Sequence, residues 1–383
     1  MRSAAVVGTG LIGTSVALAL SARGVRVHLQ DADADAARIA EARGAGTTAA
    51  PSGPVDLAVL AVPPSQVADV LEQQQRRSLA RSYTDVASVK RGPQDEVAGG
   101  RGDAATFVGG HPMAGAERSG PWAADATLFE GRPWALTPLP PTSRETVNHA
   151  LELVSLCGAV PILMESGAHD HAVAVVSHTP HLVAALMAGQ LAGVPEDAVR
   201  LAGQGVRDVT RVADGDPRLW TQILQANAAA VADVLEGVGR DLDEAVQALR
   251  SVDGAGGGGR RSAADRITRL LTRGREGRGR ISGKHGGPPT VFTPVHVHIG
   301  DRPGELSQLL AEAAALDINV EDMKIEHAQE DSTGVAELAV AGAAASALAR
   351  RLAERGWNVR QIPGPADRGD GSAEQLLRPA GLG

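Results

Sequence analysis

The chain has 383 residues, 43% of them hydrophobic and 21% charged, which is ordinary for two or three domains with true cores. Its net charge of −8 gives no general electrostatic pull toward nucleic acid or anionic lipid. A single cysteine, Cys157, excludes an intrachain disulfide and suits a reducing cytoplasm.

In chain order, residues 3–7 predict a short buried strand and residues 11–22 a helix. Arg2 and the run ending at Ala22 also imitate a signal peptide. Read as strand, glycine turn and helix they form a unit that cleavage would destroy. Strands are expected at 25–29, 55–62, 83–86, 106–108, 134–136 and 160–163, with helices at 65–79 and 143–156. This alternation predicts a Rossmann-like, doubly wound parallel sheet over residues 1–164. Long helical stretches follow at 166–192, 196–213 and 217–250, predicting an all-α substrate and dimerisation domain over 165–253. No uninterrupted apolar run reaches the length of a bilayer span, so no membrane partner is expected. Residues 254–290 read as a flexible basic linker that opens on a glycine run. Its arginine-rich part, 260–280, has no interleaved aromatics to stack on bases, so a solvated helix is expected and no nucleic acid. Residues 291–363 repeat the order βαββαβ, a ferredoxin-like plan, and 364–383 read as a disordered tail.

Gly8-Thr9-Gly10-Leu11-Ile12-Gly13 stands between the first strand and the first helix, the context in which GxGxxG binds a dinucleotide. Gly8 suits the tight turn, Gly10 the approach of a pyrophosphate, and Gly13 close helix–strand packing. The N–H groups of Leu11, Ile12 and Gly13 face the phosphates at the helix N-terminus. Asp31 ends the second strand, where an acid accepts the adenosine ribose hydroxyls and repels a 2′-phosphate; this favours NAD over NADP. The competing use for Asp31 is a helix N-cap, and Asp33 and Asp35 are nearby rivals for either role.

Two polar clusters fall after later strands: Asp85–Lys90, with Ser88 between them, and Gly109–Gly120, with His111 and Glu117. An exposed loop imidazole at His111 would be a general base near neutral pH, and Ser88 would orient it and touch the cofactor. On the helical side, Asp170, Ala174, Ser177, His178 and His181 share one face by i, i+4, i+7, i+8 and i+11 spacing. Pro180 removes a donor and predicts a kink. The histidines lack the i, i+4 pair of a helical zinc motif, so no metal is expected. Further on, Asp208 and Arg211 are placed to pair, and Arg211 suits bidentate capture of a carboxylate. Trp220 fits either core packing or the site wall.

Taken together, the glycine turn, Asp85–Lys90, His111-Pro112-Met113-Ala114-Gly115, Ser177-His178-Thr179-Pro180-His181 and Arg207–Trp220 resemble the prephenate dehydrogenase family over residues 1–285. The resemblance implies His111 as the base, Ser88 as its orienter, Arg211 on a substrate carboxylate, Glu117 and Asp208 as gates, and His178 and His181 as lining. It implies oxidative decarboxylation of prephenate in tyrosine biosynthesis, with arogenate as the alternative substrate, while pairing through the helical domain makes a homodimer the expected assembly. Thr179, Val206 and Gly215 depart from the residues common in the family and bear on pocket shape. A β-hydroxyacid dehydrogenase would want a lysine on the second domain's first helix, which carries histidines instead. A catalytically idle dinucleotide sensor would have lost His111 or Ser88. Ile299–Leu306 and Ile318–Val320 resemble an ACT domain, which implies feedback by tyrosine at Asp301, Pro303, Gly304 and Asn319.

Overall fold

The computed structural model of the chain describes residues 1–115, 118–254, 257–281, 292–300, 302–327 and 333–361. Glu117, Asp301, the end of the expected linker and the expected tail lie outside the described residues. The chain divides into two compact units, Met1–Ile267 and Thr268–Gly383.

The first unit begins with β1 (Ser3–Val7), α1 (Leu11–Ala22), β2 (Arg26–Gln30), α2 (Ala34–Ala42), β3 (Val55–Leu60), α3 (Val67–Arg76), β4 (Ala80–Asp85), α4 (Arg91–Ala98), β5 (Phe107–Pro112), β6 (Pro133–Pro138), α5 (Arg144–Leu156) and β7 (Val160–Leu163). The seven strands form one sheet in the order β2-β1-β3-β4-β5-β6-β7. Along β1 the buried residues alternate between the two faces, as period-2 side chains must. Ala4 and Val6 pack with Val16, Leu20 and Leu153, while Ala5 and Val7 pack with Val67, Leu71 and Phe107. Helices therefore cover both faces, the arrangement that parallel strands require.

One step of this sheet differs from the expected parallel order: β5 and β6 pair antiparallel. Among its described residues the segment between them holds one short 3-10 turn at Pro121–Ala123 and no crossover helix, and a parallel return needs such a crossover. This pairing also lengthens β5. The sequence pattern ends a strand at Val108, yet the rungs His111↔Ala135 and Pro112↔Trp134 carry it onward through two glycines. His111 is thus a strand residue and not a loop residue. Helix α4 leaves no apolar period in the sequence, because Arg91–Ala98 is short and mostly polar.

The helical part comprises α6 (Ser166–Val173), a π-helical turn at Ala174–His178, α7 (Thr179–Leu191), α8 (Glu196–Val199), α9 (Gln204–Thr210), α10 (Pro217–Ala226) and α11 (Ala228–Gly254). Pro180 stands in the first turn of α7, and the helix widens just before it instead of breaking. A π-turn is one way to absorb a missing donor, and such turns are frequent at functional sites. Ser166–Leu191 runs as 26 helical residues and meets the length and hydropathy criterion for a membrane span. His169, Asp170, His171, His178 and His181 still interrupt its apolar run, and a core helix meets the same criterion. α12 (Gly257–Gly279) carries the arginine-rich stretch as a helix that begins inside the glycine run.

In the second unit, β8 (Phe292–Gly300), α13 (Glu305–Ala315), β9 (Val320–His327), β10 (Thr333–Ala341), α14 (Gly342–Glu354) and β11 (Asn358–Gln361) follow the expected βαββαβ order. The sheet runs β11-β8-β10-β9 and every pairing is antiparallel. Val295, Val297 and Ile299 alternate inward along β8 against Leu309, Leu348 and Leu352.

The strand that carries His111 leaves no room at Gly110. A Cβ there would meet Asp85 O at 2.6 Å and Thr84 Oγ1 at 2.9 Å. Gly110→Ala is expected to cost about 1–3 kcal/mol of stability by forcing β5 off β4. A denaturant melt checks this, and an unchanged midpoint would show that the strand yields freely.

Candidate active site

The glycine turn follows β1 and opens α1. Gly8 takes φ +100°, and a side chain there would run into the backbone of Ala61. Gly13 packs just as closely on the Gly8 carbonyl. Gly10 has open space where its Cβ would stand and offers no side-chain cap to α1. The first N–H groups of α1 therefore face an open cradle, which fits a pyrophosphate. Asp31 is tied into this turn: Oδ2 accepts from Thr9 N at 2.5 Å and Thr9 Oγ1 at 2.9 Å, and Oδ1 accepts from Asp33 N at 2.9 Å. A carboxylate has about four acceptor sites, so one remains for a ribose hydroxyl. The N-cap of α2 is Asp33, so the capping role considered for Asp31 belongs to its neighbour.

At the far end of β5, His111 is partly buried, and its Nδ1 lies 2.9 Å from His169 Nε2. His169 Nδ1 lies 2.7 Å from Asp170 Oδ1. The proton positions follow from the acceptor at the end of the chain. A carboxylate only accepts, so His169 carries its proton on Nδ1 and presents a lone pair at Nε2. That lone pair accepts from His111 Nδ1–H. His111 Nε2 is then the unprotonated nitrogen, with its lone pair free for a substrate proton. Burial first, then the charges of Lys90, His169 and His178, hold His111 well below the ordinary histidine value. The imidazole is thus neutral over the physiological range, for a different reason from the exposed, unperturbed loop histidine that the sequence suggested.

Ser88 is half-buried, and its hydroxyl meets no hydrogen-bond partner among the described residues. The ring nitrogen of His111 that Ser88 was expected to meet lies against His169 instead. Neither His169 nor Asp170 was assigned a role from the sequence. The signal available was the unbroken His169-Asp170-His171 run at the start of a helix, but helical spacing puts His169 off the face shared by Asp170, His178 and His181.

Asp170 does more than orient a ring. Its Oδ1 also accepts Lys90 N–H at 2.8 Å and its Oδ2 accepts Arg91 N–H at 2.9 Å, capping α4 from a different part of the chain. Burial works to raise its pKa, but the bonds from His169, Lys90 and Arg91 together lower it. Asn227 Nδ2 donates to Asp170 O at 2.8 Å and sits 3.1 Å from His178 Nδ1. With the amide donating, His178 Nδ1 is unprotonated and its Nε2–H is a donor. Burial pushes His178 down to about 4, against the pull of Asp170, so this ring is neutral too.

His181 stacks on Trp220, with ring centroids 3.5 Å apart and an interplanar angle of 9°. His178 meets the same indole edge-on at 6.4 Å. Trp220 therefore belongs with the site histidines. A Cβ at Gly215 would meet His181 Cε1 at 2.8 Å and would run into Trp220 as well, so glycine is required for this stack. Arg211 is exposed on the turn Arg211–Asp214 and makes no ion pair among the described residues. The pairing with Asp208 expected from the sequence is absent: Asp208 Oδ1 accepts from Gln204 Nε2 at 2.8 Å instead.

A cavity of about 590 Å³ lies at the amino ends of β1–β3, bordered by Arg26, His28 and Ser52. Ligands of open parallel sheets bind at the carboxyl ends, where Gly8 and His111 stand, so the cavity is not the site.

Residues 16–163 match the family model for the prephenate dehydrogenase nucleotide-binding domain, and residues 165–256 match that for the prephenate dehydrogenase dimerization domain. A probable prephenate dehydrogenase of Streptomyces niveus is 40% identical over 360 residues, covering 93% of this chain and 99% of its own. The chain belongs to the prephenate dehydrogenase family. It is an NAD-dependent oxidoreductase with a Rossmann-like sheet followed by a helical domain. The prephenate dehydrogenase of Bacillus subtilis is 29% identical, with 86% of this chain and 89% of that one covered. Among solved structures, Aquifex aeolicus prephenate dehydrogenase in complex with hydroxyphenyl propionate and NAD+ is 27% identical with a TM-score of 0.62. The match covers 73% of this chain and 97% of that one. A Synechocystis arogenate dehydrogenase is similar at 27% identity and a TM-score of 0.57, covering 72% of this chain and 98% of that one.

The orientation of His111 gives a direct expectation for Asp170→Asn. An Asn amide offers a donor where His169 needs an acceptor, so the proton order through both rings is upset. Turnover should fall on the order of 10²–10⁴-fold, by analogy with the loss of the aspartate behind a catalytic histidine. Steady-state kinetics on the folded variant checks this; turnover within threefold of the parent would remove Asp170 from the chain of orientation.

Proposed function

We propose that the chain catalyses the oxidative decarboxylation of prephenate to 4-hydroxyphenylpyruvate, with His111 Nε2 as the base. The observation that carries this reading is the Asp170–His169–His111 chain, which leaves one unprotonated nitrogen at the end of β5. NAD, held by Gly8–Gly13 with the remaining acceptor of Asp31 on its ribose, supplies the hydride acceptor. His111 takes the proton of the ring hydroxyl as the carbinol carbon is oxidised to a dienone. Loss of the ring carboxylate as carbon dioxide returns an electron pair to the ring, and the resulting phenolate recovers the proton from His111. Restored aromaticity makes this step downhill, so the protein's work is alignment and one proton transfer.

In this reading Arg211 binds a substrate carboxylate, and its guanidinium, without an ion pair among the described residues, supports the role. His178 Nε2–H and the His181–Trp220 stack line the side-chain end of the pocket, Ser88 touches the cofactor, and Glu117 and Asp208 gate entry. Arogenate differs from prephenate by an amino group in place of the side-chain ketone, and the Synechocystis likeness keeps it as the second reading. A homodimer is part of the proposal. Val175, Val176, Leu186 and Met187 are large and exposed on the Ser166–Leu191 helix, inside the segment that matches a dimerization domain. The single cysteine, Cys157, allows no intrachain disulfide, which supports a reducing cytoplasm as the location.

The second unit we read as an ACT-like regulatory domain with tyrosine as its effector. Gly304, at φ +89°, turns the chain into α13 beside Pro303, and Glu305 Oε1 accepts Gly300 N–H at 2.8 Å to close this loop. Asn319 is exposed near the start of β9, with its amide 3.3 Å from Glu321 Oε1.

Absorbance at 340 nm with NAD, comparing prephenate with arogenate and repeated with added tyrosine, tests the substrate and the effector together. Faster turnover of arogenate would reverse the substrate choice, and a rate indifferent to tyrosine would remove the effector. His111→Asn is expected to lower turnover about 10²-fold or more with little change in KM. Arg211→Gln should instead raise KM, because it deletes a contact present before the chemistry begins. Near-parental turnover in the first variant, or an unmoved KM in the second, would overturn the respective role.

A further inference from the structure

Strand β4 gives out before β5 does. The backbone ladder between them has its last rung at Thr84↔Val108, while β5 runs on to Pro112. Beyond that rung the backbone groups of Gly110 are met by side chains. Asp85 Oδ1 accepts Gly110 N–H at 3.0 Å, and Lys90 Nζ donates to the Gly110 carbonyl at 2.7 Å. Asp85 and Lys90 are paired with each other, and each side chain is 1% exposed. Asp85 Oδ2 also accepts Ala87 N–H at 3.1 Å, which fixes the start of the loop leading to Lys90. One buried ion pair therefore holds both backbone groups of the residue that precedes His111.

Neutral amide side chains offer the same donor and acceptor without the cost of burying two charges, and that cost often exceeds the attraction between them. What the charges add is a field at the neighbouring imidazole. The ionisable groups around that ring are Lys90 and Asp85 from the β4–α4 region, His169 and Asp170 from α6, and His178 from the π-turn. Both carboxylates are already engaged. Asp85 serves Lys90 and two backbone N–H groups, and Asp170 serves His169 and the first N–H groups of α4.

We propose that Lys90, paired with Asp85, is a positioning residue for His111: the pair acts as the missing strand rung beside Gly110, and its ammonium opposes a second positive charge on the adjacent imidazole. This rests on the reading of His111 as the base. Lys90 reinforces the effect of burial in lowering the His111 pKa. Removing the ammonium thus lets His111 keep a proton to higher pH. Since only the free imidazole accepts a proton from substrate, the acid limb of the rate profile moves up with it.

The test uses the full chain with NAD bound. Histidine ring titration is followed by nitrogen NMR, and kcat/KM for prephenate is measured against pH. In Lys90→Met the His111 titration is expected to rise by about one pH unit or more, because a nearby like charge is lost. The acid limb should rise with it, and Lys90→Arg should return both toward the parental position. Lys90→Met strands a buried carboxylate, so Asp85→Asn/Lys90→Met serves where the single variant does not fold; its titration is also expected to rise. A His111 titration unmoved in a folded variant that lacks the ammonium overturns the proposal. A titration that rises while the rate profile stays in place supports the influence of Lys90 on the ring and overturns His111 as the base.

Discussion

The Asp170 carboxylate is the contact on which the site depends. It belongs to the first helix after the sheet, yet it caps α4, which belongs to the sheet's own layer. The same group fixes the tautomer of His169 and, through it, of His111. Joining two segments and setting a proton order are usually separate tasks. Here one residue with 5% exposure performs both, so the His111 ring is oriented only when α6 is docked against the start of α4. The cost of burying the charge is met by three donors, which is what makes a buried carboxylate tolerable.

His111 and His178 are kept neutral by burial, reinforced at each by the neighbouring His169. The two have opposite polarity at the nitrogen they present: His111 Nε2 accepts, whereas His178 Nε2 donates. Asn227 sets the second of these, as Asp170 sets the first. A substrate with a hydroxyl at one end and a keto acid at the other asks for this pairing of an acceptor with a donor. The His181–Trp220 stack adds a flat wall, and Gly215 permits it by having no side chain.

The sheet departs from a uniform parallel plan at the strand that carries His111. β6 returns antiparallel to β5 and extends it past the end of β4. His111 thereby stands on a strand held on one side by a backbone ladder and on the other by Asp85 and Lys90. Catalytic groups carried on a strand are held more firmly than groups on a loop, and alignment is most of what this reaction asks of the protein.

Much of this was legible in the amino-acid order. The glycine turn, the alternation of strands and helices, the change to a helical domain and the βαββαβ order of the second unit are all local patterns, because they follow from side-chain period and from turn chemistry. His111, His178, His181 and Trp220 stood out because their neighbours in the chain mark them. The partners of those residues could not be read in the same way. His169 meets His111 across 58 positions, and Asp170 caps Lys90 and Arg91 across about 80. Hydrogen bonds of that reach leave no periodic trace in a single chain. The antiparallel return of β6, the neutral state of His111 and the release of Arg211 from Asp208 depend on what surrounds each group once the chain has folded. Local sequence decided which groups are available; packing alone decided which of them touch, which are dry, and which nitrogen holds the proton.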